Sequence, residues 1–204
     1  MNDKLRRFVR ALALALAAVA VALGASACSR YDVLVEKDQA AEARWADVEA
    51  QLQRRHDLVP NLVATVKASA AHEEKTLEEV AKARANAASI HLTADDLSDP
   101  EKMAAFEKAE GQLSSALSRL LVVQERYPDL KANAAFHDLQ VQLEGTENRI
   151  LRAREQYNEA VRDYNAELNK VGGMVVNKVT GKPFKPRVYF KASAESEAAP
   201  QVKF

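Results

Sequence analysis

The hydrophobic pattern from Asp32 to Val171 has a helical period almost throughout. Trp45, Val48 and Leu52 recur at steps of three and four, which places them on one helix face. Leu58, Leu62, Val66, Ala70, Leu77, Val80 and Arg84 continue a stripe further on. A third stripe runs through Met103, Phe106, Leu113, Leu117, Leu120 and Leu121, with Ser98 as the expected N-cap and Pro100 in the first turn. This helix should end before Pro128, which disfavours a helical Tyr127. The fourth stripe is the most regular: Leu139, Leu143, Thr146, Ile150, Ala153, Tyr157, Ala160, Tyr164. Its steps alternate four and three, the seam of left-handed bundle packing. Gly111 and Gly145, isolated inside helical pattern, are expected to mark close helix contacts.

The stretch "RRHDLVPNLV", residues 54–63, puts Pro60 into this apolar pattern. One helix from Asp32 to Ala88 would be about 85 Å long and would outrun its partners. The spacing therefore predicts a turn near residues 55–58 and helices near 32–55, 58–89, 99–126 and 130–170, packed up-down-up-down. Asp57 would cap the second helix, and Pro60 would fall at its third position, where the missing N–H has no partner to lose. One long, kinked helix is the alternative. After Val171 the pattern stops: three Gly and three Pro fall within residues 172–204. "RVYF", "QVKF" and Phe184 read as short extended pieces lying on the bundle. A disordered tail, above all at 193–199, is the other reading.

The first 28 residues read as an export segment: basic residues, an apolar run from Ala11 to Ala27, then "ASAC". The run falls slightly short of the roughly 20 residues of a bilayer span. "ASAC" is similar to a bacterial lipobox, departing at Ala25, and makes Cys28 the expected lipidation site. An uncleaved transmembrane anchor is the alternative. Either one tethers the chain to a bacterial membrane with its bulk on the extracytoplasmic, periplasmic side. The organisation is thus residues 1–28 as anchor, 29–171 as bundle and 172–204 as a C-terminal extension.

Charge narrows the function. Lys+Arg and Asp+Glu are both 29. Four bases and one acid precede Cys28, which leaves 25 bases and 28 acids after it. A slightly acidic domain gives no ground for nucleic-acid binding. The one cysteine rules out an intrachain disulfide. "HEEKT" at 72–76 begins like a zinc-protease helix, but Thr76 stands where a second histidine is needed. Gln53, Ser69, Ala88 and Ala134 stand three residues before the four histidines, so no Glu-x-x-His pair exists. No catalytic, cofactor-binding or metal-binding residue follows. Glu73, Glu74, Glu78 and Glu79 read as a solvated face, and Trp45 as a core or interface anchor. The candidate partner-binding residues are Arg54, Arg55, Asp57, Pro60 and Asn61 at a bundle end, and Tyr157, Asn158, Tyr164 and Asn165 in "YNEAVRDYN", two Tyr-Asn pairs seven apart on one face.

"QLQRRHDLVPNLVATVKASAAHEEKTLEEVAKARANA" resembles the signature region of the LemA family, and "YNEAVRDYN" and the closing "PQVKF" resemble its C-terminal region. The resemblance spans about Tyr31 to Phe204. It implies a membrane-attached helical bundle of bacteria, with the N-terminal segment as anchor and no enzymatic activity to carry over. The chain departs from the family in its lipobox-like Cys28 and in "NKVGGMVVNKVTGKPF", which lacks the usual Phe-Pro. The expectation is an all-α protein: a long antiparallel bundle of about four helices behind a membrane anchor. Its function would be that of a non-enzymatic scaffold or adaptor for an unidentified envelope protein, without cofactors. The alternative is a module holding a lipid or small apolar ligand between helices, which would need a cavity lined by Leu113, Leu117, Tyr157 and Val161.

Overall fold

A computed structural model describes residues 3–70, 72–179 and 184–191, leaving out the side chains of residues 3–11, 15–28 and 179. The described residues are all-helical: α1 (Asp3–Ser69), α2 (Glu74–Ala88), α3 (Pro100–Val123), α4 (Pro128–Lys131), α5 (Ala134–Leu168) and α6 (Val171–Val179), with single 3-10 turns at Asp96–Ser98 and Gln124–Arg126. The second half of α1 folds against α2, α3 runs back beside α2, and α5 lies along α1, so the long helices alternate in direction. Residues 193–199 and "QVKF" lie outside the described residues.

The expected turn at residues 55–58 is absent. α1 runs unbroken through Pro60, and the chain reverses between α1 and α2 instead. The buried positions of α1 keep one register through the proline: Trp45, Val48, Leu52, Arg55, Val59, Leu62, Val66. A charged residue, Arg55, occupies one of these core positions. Asp57 accordingly caps nothing; it is exposed in mid-helix and accepts a hydrogen bond from Gln53 Nε2 at 2.8 Å. Pro60 deprives the His56 carbonyl of its intrahelical donor. Arg84 Nε of α2 donates to that carbonyl at 2.8 Å, so the proline is accommodated by a neighbouring helix.

A long α1 finds partners because two different elements cover it in turn. Val59, Leu62 and Val66 pack with Leu77 and Val80 of α2, with Leu113, Leu117 and Leu120 of α3, and with Phe136 and Leu143 of α5. Further toward the N-terminus α2 is missing. There Ala41, Trp45, Val48 and Leu52 pack with Phe106, Ile150, Tyr157, Val161 and Phe190, the last from the segment 184–191. A third cluster joins Leu34, Tyr164, Leu168 and Val176.

Three local expectations also change. Asp99, not Ser98, caps α3, its carboxylate accepting from the backbone N–H of Glu101 and Lys102. Gly111 and Gly145 are not points of close approach: a Cβ at Gly111 would meet nothing within 4 Å, and one at Gly145 only an arginine side chain at 3.8 Å. The "GGMVVN" stretch, read as irregular, forms α6. Gly173 is the glycine that packing requires, since a Cβ there would lie 2.5 Å from the Glu167 carbonyl oxygen. Among the described residues no helix is long and apolar enough to cross a membrane.

Candidate functional site

Between the two large apolar clusters lies a layer of buried charge. Arg55 is 1% exposed and touches two other helices. Its guanidinium pairs with Glu110 of α3, donates to Ser114 Oγ at 2.7 Å, and reaches Glu147 of α5 at 2.9 Å. His56 Nε2 lies 3.1 Å from Glu110, which is also 1% exposed. Arg84 adds α2 through the His56 carbonyl. One cluster therefore ties together all four long elements. Its position follows from the sequence: three helices each carry one polar residue where the apolar stripe should continue, Arg55 between Leu52 and Val59, Glu110 between Phe106 and Leu113, Thr146 between Leu143 and Ile150. Burial by itself pushes the Glu110 carboxyl up, but the His56 hydrogen bond and the charges of Arg55 and His56 outweigh it and hold the group below its ordinary value.

The Tyr-Asn pairs of α5 make a second arrangement. Asn158 donates to the Phe190 carbonyl at 2.9 Å and accepts from the Phe190 N–H at 2.8 Å. Asn165 does the same for Arg187, at 2.9 Å in both directions. Asn177 of α6 repeats the pattern on Phe184, at 3.1 and 2.6 Å. Tyr157 donates to the Val188 carbonyl and Tyr164 to that of Lys185, each at 3.0 Å. The spacing has a simple origin. Seven helical residues rise about 10.5 Å, and three residues of extended chain span roughly 9–10 Å. A seven-residue repeat on the helix thus meets a three-residue repeat on the segment. Further contacts hold the segment: Arg187 Nε donates to Asp38 at 2.7 Å, Val188 N–H to the Leu97 carbonyl at 2.8 Å, and Lys191 N–H to Glu107 at 2.7 Å. Phe190 stacks with Trp45 and carries the Arg154 guanidinium 4.0 Å above its ring.

The expected partner-binding residues separate under this geometry. Tyr157, Asn158, Tyr164 and Asn165 hold the chain's own segment 184–191. Arg55 is buried inside the bundle, not at its end. Arg54, Asp57, Pro60 and Asn61 are exposed on the outward side of α1. Cys28 falls within α1, but its side chain lies outside the described ones. Glu73 leaves the solvated face expected of it, accepting from Tyr127 Oη at 3.0 Å and pairing with Arg126. Sequence reading missed Glu110, Arg84 and Ser114. The available signal was a charged residue in register with an apolar stripe on α1 and again on α3.

The structure offers a groove of about 870 Å³ between α2 and α3, reaching Arg154 and Lys191. Lys82, Lys108, Arg119, Glu79 and Glu107 line it among others. Leu113, Leu117, Tyr157 and Val161 do not. They are buried, the first two in one apolar cluster and the last two in the other. Among the described residues no three His, Cys, Asp or Glu side chains converge as metal ligands would.

A model of the LemA family matches residues 44–204, most of the chain, from within α1 onward. The chain belongs to the LemA family. It is similar to magnetosome proteins MamQ 1 and MamQ 2 of Paramagnetospirillum magneticum, 27% identical to each over 82% of this chain. A MamQ of Magnetospirillum gryphiswaldense is 27% identical over 79%. This LemA-family chain spans 66% of the length of the first two relatives and 64% of the third.

Proposed function

We propose that the protein is a non-enzymatic, membrane-tethered helical scaffold of the bacterial envelope that docks another envelope protein on its outer surface. Residues 1–28 serve as the tether, by lipid on Cys28 or as an uncleaved anchor, and the bundle stands on the extracytoplasmic side. The observation that supports this reading most is how the interior polar groups are used. Arg55, His56, Arg84, Glu110, Ser114 and Glu147 brace four helices against one another, and the Tyr-Asn pairs fasten the C-terminal segment. Similarity to magnetosome proteins agrees with work at a membrane. The exposed residues Arg54, Asp57, Pro60 and Asn61 are the docking candidates.

Photo-crosslinking residues placed at Arg54 and Asn61 in living cells, followed by mass spectrometry, test the docking. One reproducible envelope protein captured from both positions is the expected result. Capture of lipid alone, or of nothing, from either position would overturn it. Mass spectrometry of the N-terminal peptide tests the tether: cleavage before Cys28 with acyl chains attached is expected for a lipoprotein. A Cys28→Ser chain that keeps Met1 or Asn2 and still fractionates with membranes assigns the role to an uncleaved anchor.

A further inference from the structure

Among the described residues, α6 leaves an apolar face uncovered at the end of the bundle nearest the N-terminal apolar run. Val171, Met174 and Val175 are 74%, 50% and 50% exposed, and with Lys178 they follow the i, i+3, i+4, i+7 spacing of one helix face. The opposite face is fixed. Val176 is buried among Leu34, Tyr164 and Leu168, and Gly173 sits tight against the end of α5. The outward direction of the apolar face is thus set by packing.

We infer that this face of α6 lies in the headgroup–acyl boundary of the bilayer into which residues 1–28 are anchored. The inference rests on the tether proposed above. Three observations point to lipid. The first is position: a Cβ on Gly172 would lie 3.2 Å from the Arg30 side chain, two residues past Cys28 and three past the apolar run that ends at Ala27. The second is charge. Arg30, Lys170, Lys178 and Lys185 gather at this end. The buried Glu167 pairs with Arg30 at 3.4 Å and with Lys170 at 2.7 Å. Asp32 and Glu36 each lie two residues from Leu34, so they stand on the opposite side of α1 from the α6 contact. Cations flanking a short apolar face suit an anionic lipid surface, with their stems along the acyl boundary and their heads in the headgroups. The third is tethering. A nine-residue helix has little membrane affinity alone, but a covalent anchor next to it makes insertion intramolecular. The face would orient the bundle on its membrane.

The full chain, reconstituted in phosphatidylethanolamine–phosphatidylglycerol vesicles with acyl chains brominated near the headgroup, provides the test. Val175→Trp is compared with Leu151→Trp, an exposed site about 25 Å along α5 from Leu168. Trp45 is 3% exposed and gives a constant background in both. The expected result is several-fold stronger bromolipid quenching at position 175 than at position 151. Equal, weak quenching in chains that float with vesicles overturns the inference and leaves the tether standing. Emission at 175 that is shielded from aqueous quenchers yet untouched by bromolipid assigns the face to protein, and likewise overturns it. Chains that do not float overturn the tether and this inference together.

Discussion

Arg84 of α2 donates to the carbonyl that Pro60 leaves without a helical partner, the His56 carbonyl 28 residues from its own position. The consequence is an energetic coupling between Arg84 and Pro60. In the native chain, Arg84→Ala strands a partly buried carbonyl and should cost about 1–3 kcal/mol. In a Pro60→Ala background the backbone N–H restored at position 60 can bond the same carbonyl, so the loss on removing Arg84 should shrink by about half or more. A double-mutant cycle by urea denaturation measures it. Equal losses in the two backgrounds would show that the arginine does not substitute for the missing helical bond.

The same geometry reverses the expectation for Asp57. As an exposed mid-helix residue with one i−4 partner, it should lose less than about 0.5 kcal/mol on Asp57→Ala. Leu62→Ala, by contrast, opens a cavity at a side chain with 0% exposure and should cost about 2–5 kcal/mol. A loss of about 1 kcal/mol or more on Asp57→Ala would argue for the capped, two-helix arrangement instead.

Glu110→Gln keeps the shape of the central cluster but removes the charge facing Arg55 and His56. It should destabilise by about 3–5 kcal/mol. Replacing the pair by Arg55→Met with Glu110→Leu should cost less than Glu110→Gln alone, because the Arg55 guanidinium is then not left inside without its carboxylate. Glu110 is held below its ordinary value of 4.5 in the folded chain. Its contribution is therefore present above that value and fades as pH falls through the depressed folded value. Melting midpoints of native chain and Glu110→Gln, taken downward from pH 6, should converge in acid. A constant gap between them would mean that the charge of Glu110 is not what the cluster uses.

Asn158→Ala and Asn165→Ala remove bonds from two different residues of the C-terminal segment. Amide hydrogen exchange should rise at Phe190 in the first and at Arg187 in the second, with losses of about 1–3 kcal/mol each. Since Phe190 packs on Trp45 and Phe106, Asn158→Ala should also change the Trp45 emission. If both variants raise exchange equally along 184–191, the segment is released as a unit and the residue-by-residue match does not hold.

The sequence by itself determined the helical class and most of the core. The repeated three-and-four steps of α5 leave its buried face almost no choice. Of the stripe residues only Leu139 and Ala160 are not fully buried; Leu139 still packs against the core, and Val161 takes the buried place beside Ala160. The sequence also held the Tyr-Asn repeat, because spacing along a helix is a property of the chain alone. The occupant of that repeat was decided by tertiary structure, since matching seven helical residues to three extended ones needs two segments side by side. So was the course of α1. Proline is read as a break when only local hydrogen bonds are counted, and the donor that removes the penalty comes from another helix. Residues 70–73, between α1 and α2 where the chain does reverse, include no glycine or proline to mark a turn. A reversal there is stabilised only by what α2 then buries against α1 and α3. The buried charges divide between the two: their register with apolar stripes is in the sequence, but only the fold brings Arg55 against Glu110.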